Sequence, residues 1–206
     1  MTLAELIIRV QTQIRAELPA ASLSVSDLDD DSIEQWGNEE LINVILILKD
    51  PKHFPELVAI DESLTFSSGS ASLPEDFWWP KLTSQQNDLY NLLSLKVTAN
   101  SVTKRHASLV LPAEFARFDS SNFVLTPSDK FPVATIADKV YIKPTDITAG
   151  YLDYITTHQA ISSGTQFDAV GDNVLVALVM ARYYEYRELP ELQALAYGKA
   201  QSYGNK

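Results

Sequence analysis

Three aspartates at alternate positions, Asp27, Asp29 and Asp31, have the D-x-D-x-D spacing that opens a calcium-binding loop. The pattern then fails where such a loop is strictest. Ser32 stands where the sharp turn needs glycine, and Asn38 where a bidentate glutamate should close the coordination shell. His53, His106 and His158 are isolated, with no second histidine at helical spacing, so they read as surface or capping residues rather than a metal centre. The chain has no cysteine, which excludes disulfides, thiolate zinc sites, iron–sulfur clusters and cysteine nucleophiles. There is no G-x-S-x-G elbow and no G-x-G-x-x-G, and Gln193 occupies the place where a P-loop ending in Gly198-Lys199 would need its first glycine. Carboxylates are plentiful, but no spacing separates a glycosidase dyad from surface acids. The expectation is a protein that is not an enzyme, with no catalytic, cofactor-binding or metal-binding residues.

Charge and aromatic residues carry more. Seven acids and no base fall between Asp27 and Glu40, within a net charge of −11. Clustered lysine and arginine are what bind phosphate, so nucleic-acid binding is disfavoured. Asp27, Asp29, Asp30, Asp31 and Glu34 form either a solvated helix start or an acidic face past which DNA slides without sticking. Trp78 and Trp79 follow Phe77 as the densest aromatic cluster. They plug a sheet against helices or anchor a subunit interface, where tryptophan is enriched. Tyr183, Tyr184, Tyr186, Tyr197 and Tyr203 cannot all face one core at helical spacing, so some of them are expected to meet another chain or line a polar groove.

The elements that would position these residues fall into two kinds. Leu3, Leu6, Ile7, Val10, Ile14 and Leu18 make one helical stripe, opened by the capping-box pair Thr2 and Glu5 and ended by Pro19. A second helix runs from about Ser32 to Leu48, with Ile33, Trp36, Leu41, Val44, Ile45 and Leu48 on one side. Ile42, Leu46 and Ile47 make its last two turns apolar nearly all round, so its own chain or a neighbouring subunit must cover it. From Leu64 to about Thr157 short β-favouring runs replace the helical period: Leu92–Val97, Leu109–Leu111, Phe123–Leu125, Lys139–Lys143 and Tyr151–Ile155. Leu64 and Phe66 alternate up to Ser68-Gly69 and Ala71 and Leu73 resume beyond it, which predicts a hairpin closed by Pro74. The last two strands could close a second hairpin, and Pro112–Phe118 a short helical turn. Helical periodicity returns from Asp168 to Arg187 and from Pro190 to Tyr203, joined tightly enough to form an αα-hairpin.

The expected fold is therefore α+β. A bundle of about four helices (1–60 and 160–206) carries an inserted β-rich segment (61–159), a small antiparallel sheet or barrel. No apolar run reaches the roughly 20 residues needed to span a bilayer, and the N-terminus lacks a signal-peptide pattern, so no membrane is expected. The apolar helical surfaces outnumber what one copy could hide, which predicts that copies shield one another.

In this order the pieces resemble the connector proteins between portal and tail of tailed bacteriophages, called head–tail connector, neck, adaptor or ring proteins. The resemblance is carried by the acid-started helix (Asp31–Leu48), Leu73-Pro-Glu-Asp-Phe77, Pro112-Ala-Glu-Phe115, Phe131-Pro-Val133, Val140-Tyr-Ile-Lys-Pro144, Tyr151-Leu-Asp-Tyr-Ile155 and the alanine- and tyrosine-rich final helix pair. It covers most of the chain from Ser32 onwards. It implies a structural virion protein of the neck, assembled in the host cytoplasm into a ring, commonly a dodecamer in this family. Such a ring binds the portal, extends the channel used in viral DNA ejection without binding the duplex specifically, and offers a platform to tail or further neck proteins. By the same resemblance, Glu188–Lys206 would meet the portal and the β loops the tail. The alternatives are another phage tail or baseplate component, or a cellular α+β ligand-binding module.

Overall fold

The computed structural model describes residues 1–18, 28–78, 92–99, 102–119, 127–157 and 167–205. Among these, five α-helices and eight strands alternate in blocks, which makes the fold α+β. The chain separates into two compact units, Met1–Leu57 with His158–Lys206, and Val58–Thr157.

The helical unit follows from its end signals. Helix α1 (Leu3–Glu17) starts in a true capping box: Thr2 Oγ1 accepts from the Glu5 backbone and Glu5 returns to the Thr2 backbone. Helix α2 (Asp30–Leu48) is capped by the Asp29 side chain and stops at Lys49, which takes the left-handed conformation (φ 55°) ahead of Pro51. A short helix, α3 (Pro112–Phe115), lies in the second unit and runs on as a 3₁₀ turn to Asp119. Helix α4 (Ala169–Tyr186) turns at Glu188 (φ 55°) into α5 (Pro190–Gly204), whose proline occupies the first turn.

Helix α4 is the hub of this unit, packing against α1, α2 and α5. Val174 to Ala181 are buried without a break, as are Tyr183 and Tyr184. Each large aliphatic side chain so covered contributes about 1.5–3 kcal/mol. Leu6, Val10 and Ile14 of α1, Ile33, Leu41, Val44, Ile45 and Leu48 of α2, and Ala196 and Ala200 of α5 complete the core. The most apolar helix is thus concealed by its own chain. On α2, Ile42, Leu46 and Ile47 are half-buried.

The β unit holds two open four-stranded sheets, and neither closes into a barrel among the described residues. Strands β1 (Val58–Thr65), β3 (Ser94–Ala99), β4 (Val102–His106) and β8 (Ala149–Ile155) form one, in the order β1-β8-β3-β4. Strands β2 (Ser70–Ala71), β5 (Ser108–Leu109), β6 (Val133–Ile136) and β7 (Val140–Lys143) form the other, in the order β2-β7-β6-β5. Leu64, Phe66, Leu95, Val97, Leu152 and Tyr154 of the first sheet share a core with Ala71, Ala134, Ile136, Val140 and Ile142 of the second. The arrangement is a small sandwich.

Three expectations change. The Ser68-Gly69 turn exists, with both residues at positive φ and a Ser67–Ser70 bridge, but its flanking strands diverge into different sheets instead of forming a ladder. Strands β7 and β8 likewise belong to different sheets, because β7 pairs with β6 and β8 with β1 and β3. The sheets are also not purely antiparallel, since β5 runs parallel to β6. The strand expected at 123–125 lies outside the described residues.

Candidate functional site

Helix α2 places the acid-rich segment. Asp29 is its N-cap, accepting from the Ser32 N–H at 2.6 Å, and that backbone bond holds its carboxyl below the usual range. Asp30 accepts from Gln11 Nε2 at 3.1 Å, and Asp31 is exposed. Asp31, Glu34, Gln35, Asn38 and Glu39 line a shallow depression of ≈ 540 Å³. These acids share one end and face of the helix, as a solvated helix start or a repelling face requires. Asp27 lies outside the described residues. No group of three or more His, Asp or Glu is placed to hold a metal ion among the described residues.

The acid run does not end on that surface. Glu40 is only 1 % exposed, and its carboxylate is held by the Arg182 guanidinium and by Asn43 Nδ2 at 2.7 Å. Arg182 reaches on to Glu185 at 3.3 Å. Burial disfavours the guanidinium charge, but Glu40 outweighs it and holds Arg182 above its ordinary value. Sequence reasoning had no signal for this pair, since its members are 142 positions apart.

The tyrosines divide. Tyr183 and Tyr184 are fully buried, so they belong to the core of the helical unit and cannot serve as a free surface. Tyr184 packs edge-on against Tyr183 and donates to Glu17 Oε2 at 2.6 Å, while Lys199 Nζ reaches Glu17 Oε1. Burial works to raise the Glu17 carboxyl, yet these two donors bring it below its ordinary value. Burial, then the bond to Glu17, drives the Tyr184 phenol strongly up. Tyr186 is 65 % exposed at the end of α4, against Trp36 at 6.1 Å; on α5, Tyr197 is 37 % exposed near Arg182 and Glu185, and Leu195 is exposed two positions before it. Tyr203 is half-buried. The exposed tyrosines therefore narrow to Tyr186 and Tyr197, with Tyr203 half-buried, all on the α4–α5 hairpin.

Trp78 is half-buried, and its backbone N–H donates to the Ile155 carbonyl at 2.9 Å, which ties the chain there to the end of β8. Trp79 lies outside the described residues. Ahead of them the LPEDF segment is a turn with a structural task. Asp76 accepts the Tyr154 hydroxyl at 2.6 Å, and its carbonyl accepts from Thr157. Phe77 stacks on Tyr154 with centroids 5.5 Å apart.

Two other polar clusters organise the units. His53 Nδ1 lies 2.7 Å from Asp168, the N-cap of α4, whose other oxygen accepts from Val170 and Gly171. Burial opposes the Asp168 charge, but the Gly171 N–H and His53 prevail and lower its pKa. Lys96 bridges Asp61 and Asp153 at 3.0 and 2.9 Å on the outer face of the first sheet, and the bonds to these acids raise its pKa. His158 lies outside the described residues. His106 is exposed on β4.

Among the described residues no helix is long and apolar enough to cross a membrane. Compared with models of protein families and with curated proteins, the chain matches none of either.

Proposed function

We propose that this chain is a structural virion protein that forms a ring between the portal and tail of a tailed phage, extending the DNA channel and carrying the tail. In this reading the four long helices are the bundle of the connector and the β sandwich is its insertion. The observation that carries it is the exposed apolar side chains of the α4–α5 hairpin. Tyr186, Leu195 and Tyr197 stay exposed on a helix pair whose first member is buried from Val174 to Ala181. Exposed aromatic and large aliphatic side chains grouped on one element are what a protein partner covers. Leu195 and Tyr197 fall within Glu188–Lys206, the segment that the connector resemblance assigns to portal contact, and Tyr186 lies just ahead of it. The acids at the start of α2 fit a channel wall, because like charge keeps a polyanion mobile.

The test is assembly. The purified chain is analysed by native mass spectrometry and electron microscopy, alone and mixed with a tailed-phage portal protein. Ring particles are expected, with portal binding weakened by Tyr186→Ser and Leu195→Ser in folded protein. A chain that stays strictly monomeric and ignores the portal overturns the proposal. Replacing Asp30, Asp31 and Glu34 with lysine is expected to leave the fold intact and to impair DNA passage, and unchanged infectivity would remove the channel-wall role.

A further inference from the structure

The first sheet ends in two strands of opposite character. Strand β1 is one edge and β4 the other, and among the described residues neither has a second strand neighbour. Strand β1 carries exposed Glu62, Asp61 being held by Lys96 of its own copy, whereas β4 reads VTKRH. Each edge also has a large exposed apolar side chain. Ile60 lies on β1 and is 72 % exposed. Phe131 is 70 % exposed and follows Lys130, whose carbonyl accepts from Arg105 of β4 at 3.2 Å.

Direction and charge select one pairing. Three successive antiparallel junctions, β1–β8, β8–β3 and β3–β4, leave β1 and β4 running in opposite directions. A second copy in the same orientation, with its β4 laid beside β1, continues the antiparallel alternation without a break. Acid against base favours this union, while β1 against β1 or β4 against β4 places like charges together. A free edge of unpaired N–H and C=O groups is a template for such addition. The bulge between Ala59 and Glu62 shortens the usable edge to the four residues Glu62–Thr65, which the five-residue β4 is long enough to cover.

We infer that β1 of one copy pairs with β4 of the next, with Ile60 and Phe131 packing at the rim of a head-to-tail junction. The occupant of each edge is therefore a second copy of this chain. Such a junction is heterologous and builds a closed ring when its rotation closes. The inference rests on the ring reading above and names the surfaces that join its subunits.

The chain has no cysteine, so introduced thiols report cleanly. Ser63 lies opposite Tyr151, which also faces Lys96, the residue opposite His106, so Ser63 and His106 share the outer face of the sheet. Thr65 is on the same face, two residues on. Within one copy the two edges are three strand spacings apart, about 14 Å, too far for a disulfide. The variants Ser63→Cys/His106→Cys and Thr65→Cys/His106→Cys, covering a two-residue slip, are oxidised at high protein concentration and run without reductant. A ladder of multimers is expected from at least one pair, and none from any single cysteine variant. In parallel, Ile60→Lys and Phe131→Lys are expected to lower the wild-type oligomer population about tenfold by native mass spectrometry, a 1.4 kcal/mol effect, with circular dichroism unchanged. Oligomers that ignore both lysine variants and give no ladder overturn the edge junction and leave the ring reading standing. Dimers from a single cysteine variant overturn it in favour of like-with-like pairing. A wild-type chain that is monomeric at every concentration overturns the junction, and one that also ignores the portal takes the ring reading with it.

Discussion

Arg182→Leu strands a carboxylate inside the helical unit, and the cost follows from the surroundings of Glu40. Removing one partner of a fully dry ion pair costs about 3–5 kcal/mol, because the remaining charge keeps its desolvation penalty. Here Arg182 is 34 % exposed on its side chain, and Asn43 still donates to Glu40 after the substitution. Water entering from the Arg182 side and the remaining amide bond reduce the loss to about 2–3 kcal/mol. Over a helical unit of roughly a hundred residues that lowers Tm by about 10–20 °C. Glu40→Gln alone is expected to cost about 1 kcal/mol, since Arg182 can rehydrate through its exposed edge. The double variant Glu40→Leu/Arg182→Leu leaves no stranded charge and should be more stable than Arg182→Leu. Urea titrations followed by helical circular dichroism measure all three. If Arg182→Leu falls within about 0.5 kcal/mol of wild type, the pair behaves as a surface contact and the reasoning is refuted.

Other outcomes follow from the same geometry. Asp168→Ala removes the cap of α4 and the His53 partner together and is expected to cost about 1–2 kcal/mol in urea, with Asp168→Asn costing less because its oxygen still caps. The carboxyls of Glu17 and Asp168 lie below their ordinary values of 4.5 and 3.8 in the folded chain, so the stability they contribute is present above those values and is lost as pH falls through the lower folded ones. Asp172 is raised by burial despite its bond to the Met1 amino group, so it gains a proton more readily when folded and offsets part of that loss. Glu17→Gln should therefore flatten, and Asp172→Asn steepen, the fall of the urea midpoint between neutrality and about pH 3; parallel curves for all three proteins would contradict this. Gly150→Ala should destabilise the β unit by about 1–3 kcal/mol, since the added methyl would stand 2.8 Å from the Phe66 ring and 3.2 Å from the Lys96 carbonyl. An unchanged thermal transition would show that this core has slack.

The helices were legible because their signals are local. Thr2 with Glu5, the Lys49-Asp50-Pro51 stop and Pro190 each act within a turn or two of where they stand, and the observed ends fall within two residues of the expected ones. Strand locations were partly legible for the same reason: β7, and β8 as far as Tyr154, alternate between buried and half-buried positions. All four residues of β6 are buried, so it has no alternation to read, and β4 is a polar edge strand that resembles a loop. Pairing was not legible, because the partner of β1 is β8, some 90 positions away, and the hydrophobic pattern does not say which strands will meet. At the candidate surface, five tyrosines looked equivalent. Two were taken into the core because α4 is covered on nearly every side, a fact foreshadowed by the unbroken apolar run from Val174 to Ala181. Glu40 gave no hint of burial, since its countercharge comes from the far end of the chain.

Val58 stands opposite Ile155, so the sandwich begins and finishes side by side, about 5 Å apart between Cα atoms. For the helices, drawn from the two extremities of the polypeptide, the intervening hundred residues would otherwise be a floppy tether costing about 4 kcal/mol to close. Once the sandwich has formed, its own hydrogen bonds hold that tether shut and most of the penalty disappears. Each unit then steadies the other through chain connectivity, and a lesion in the β core should loosen the helices as well.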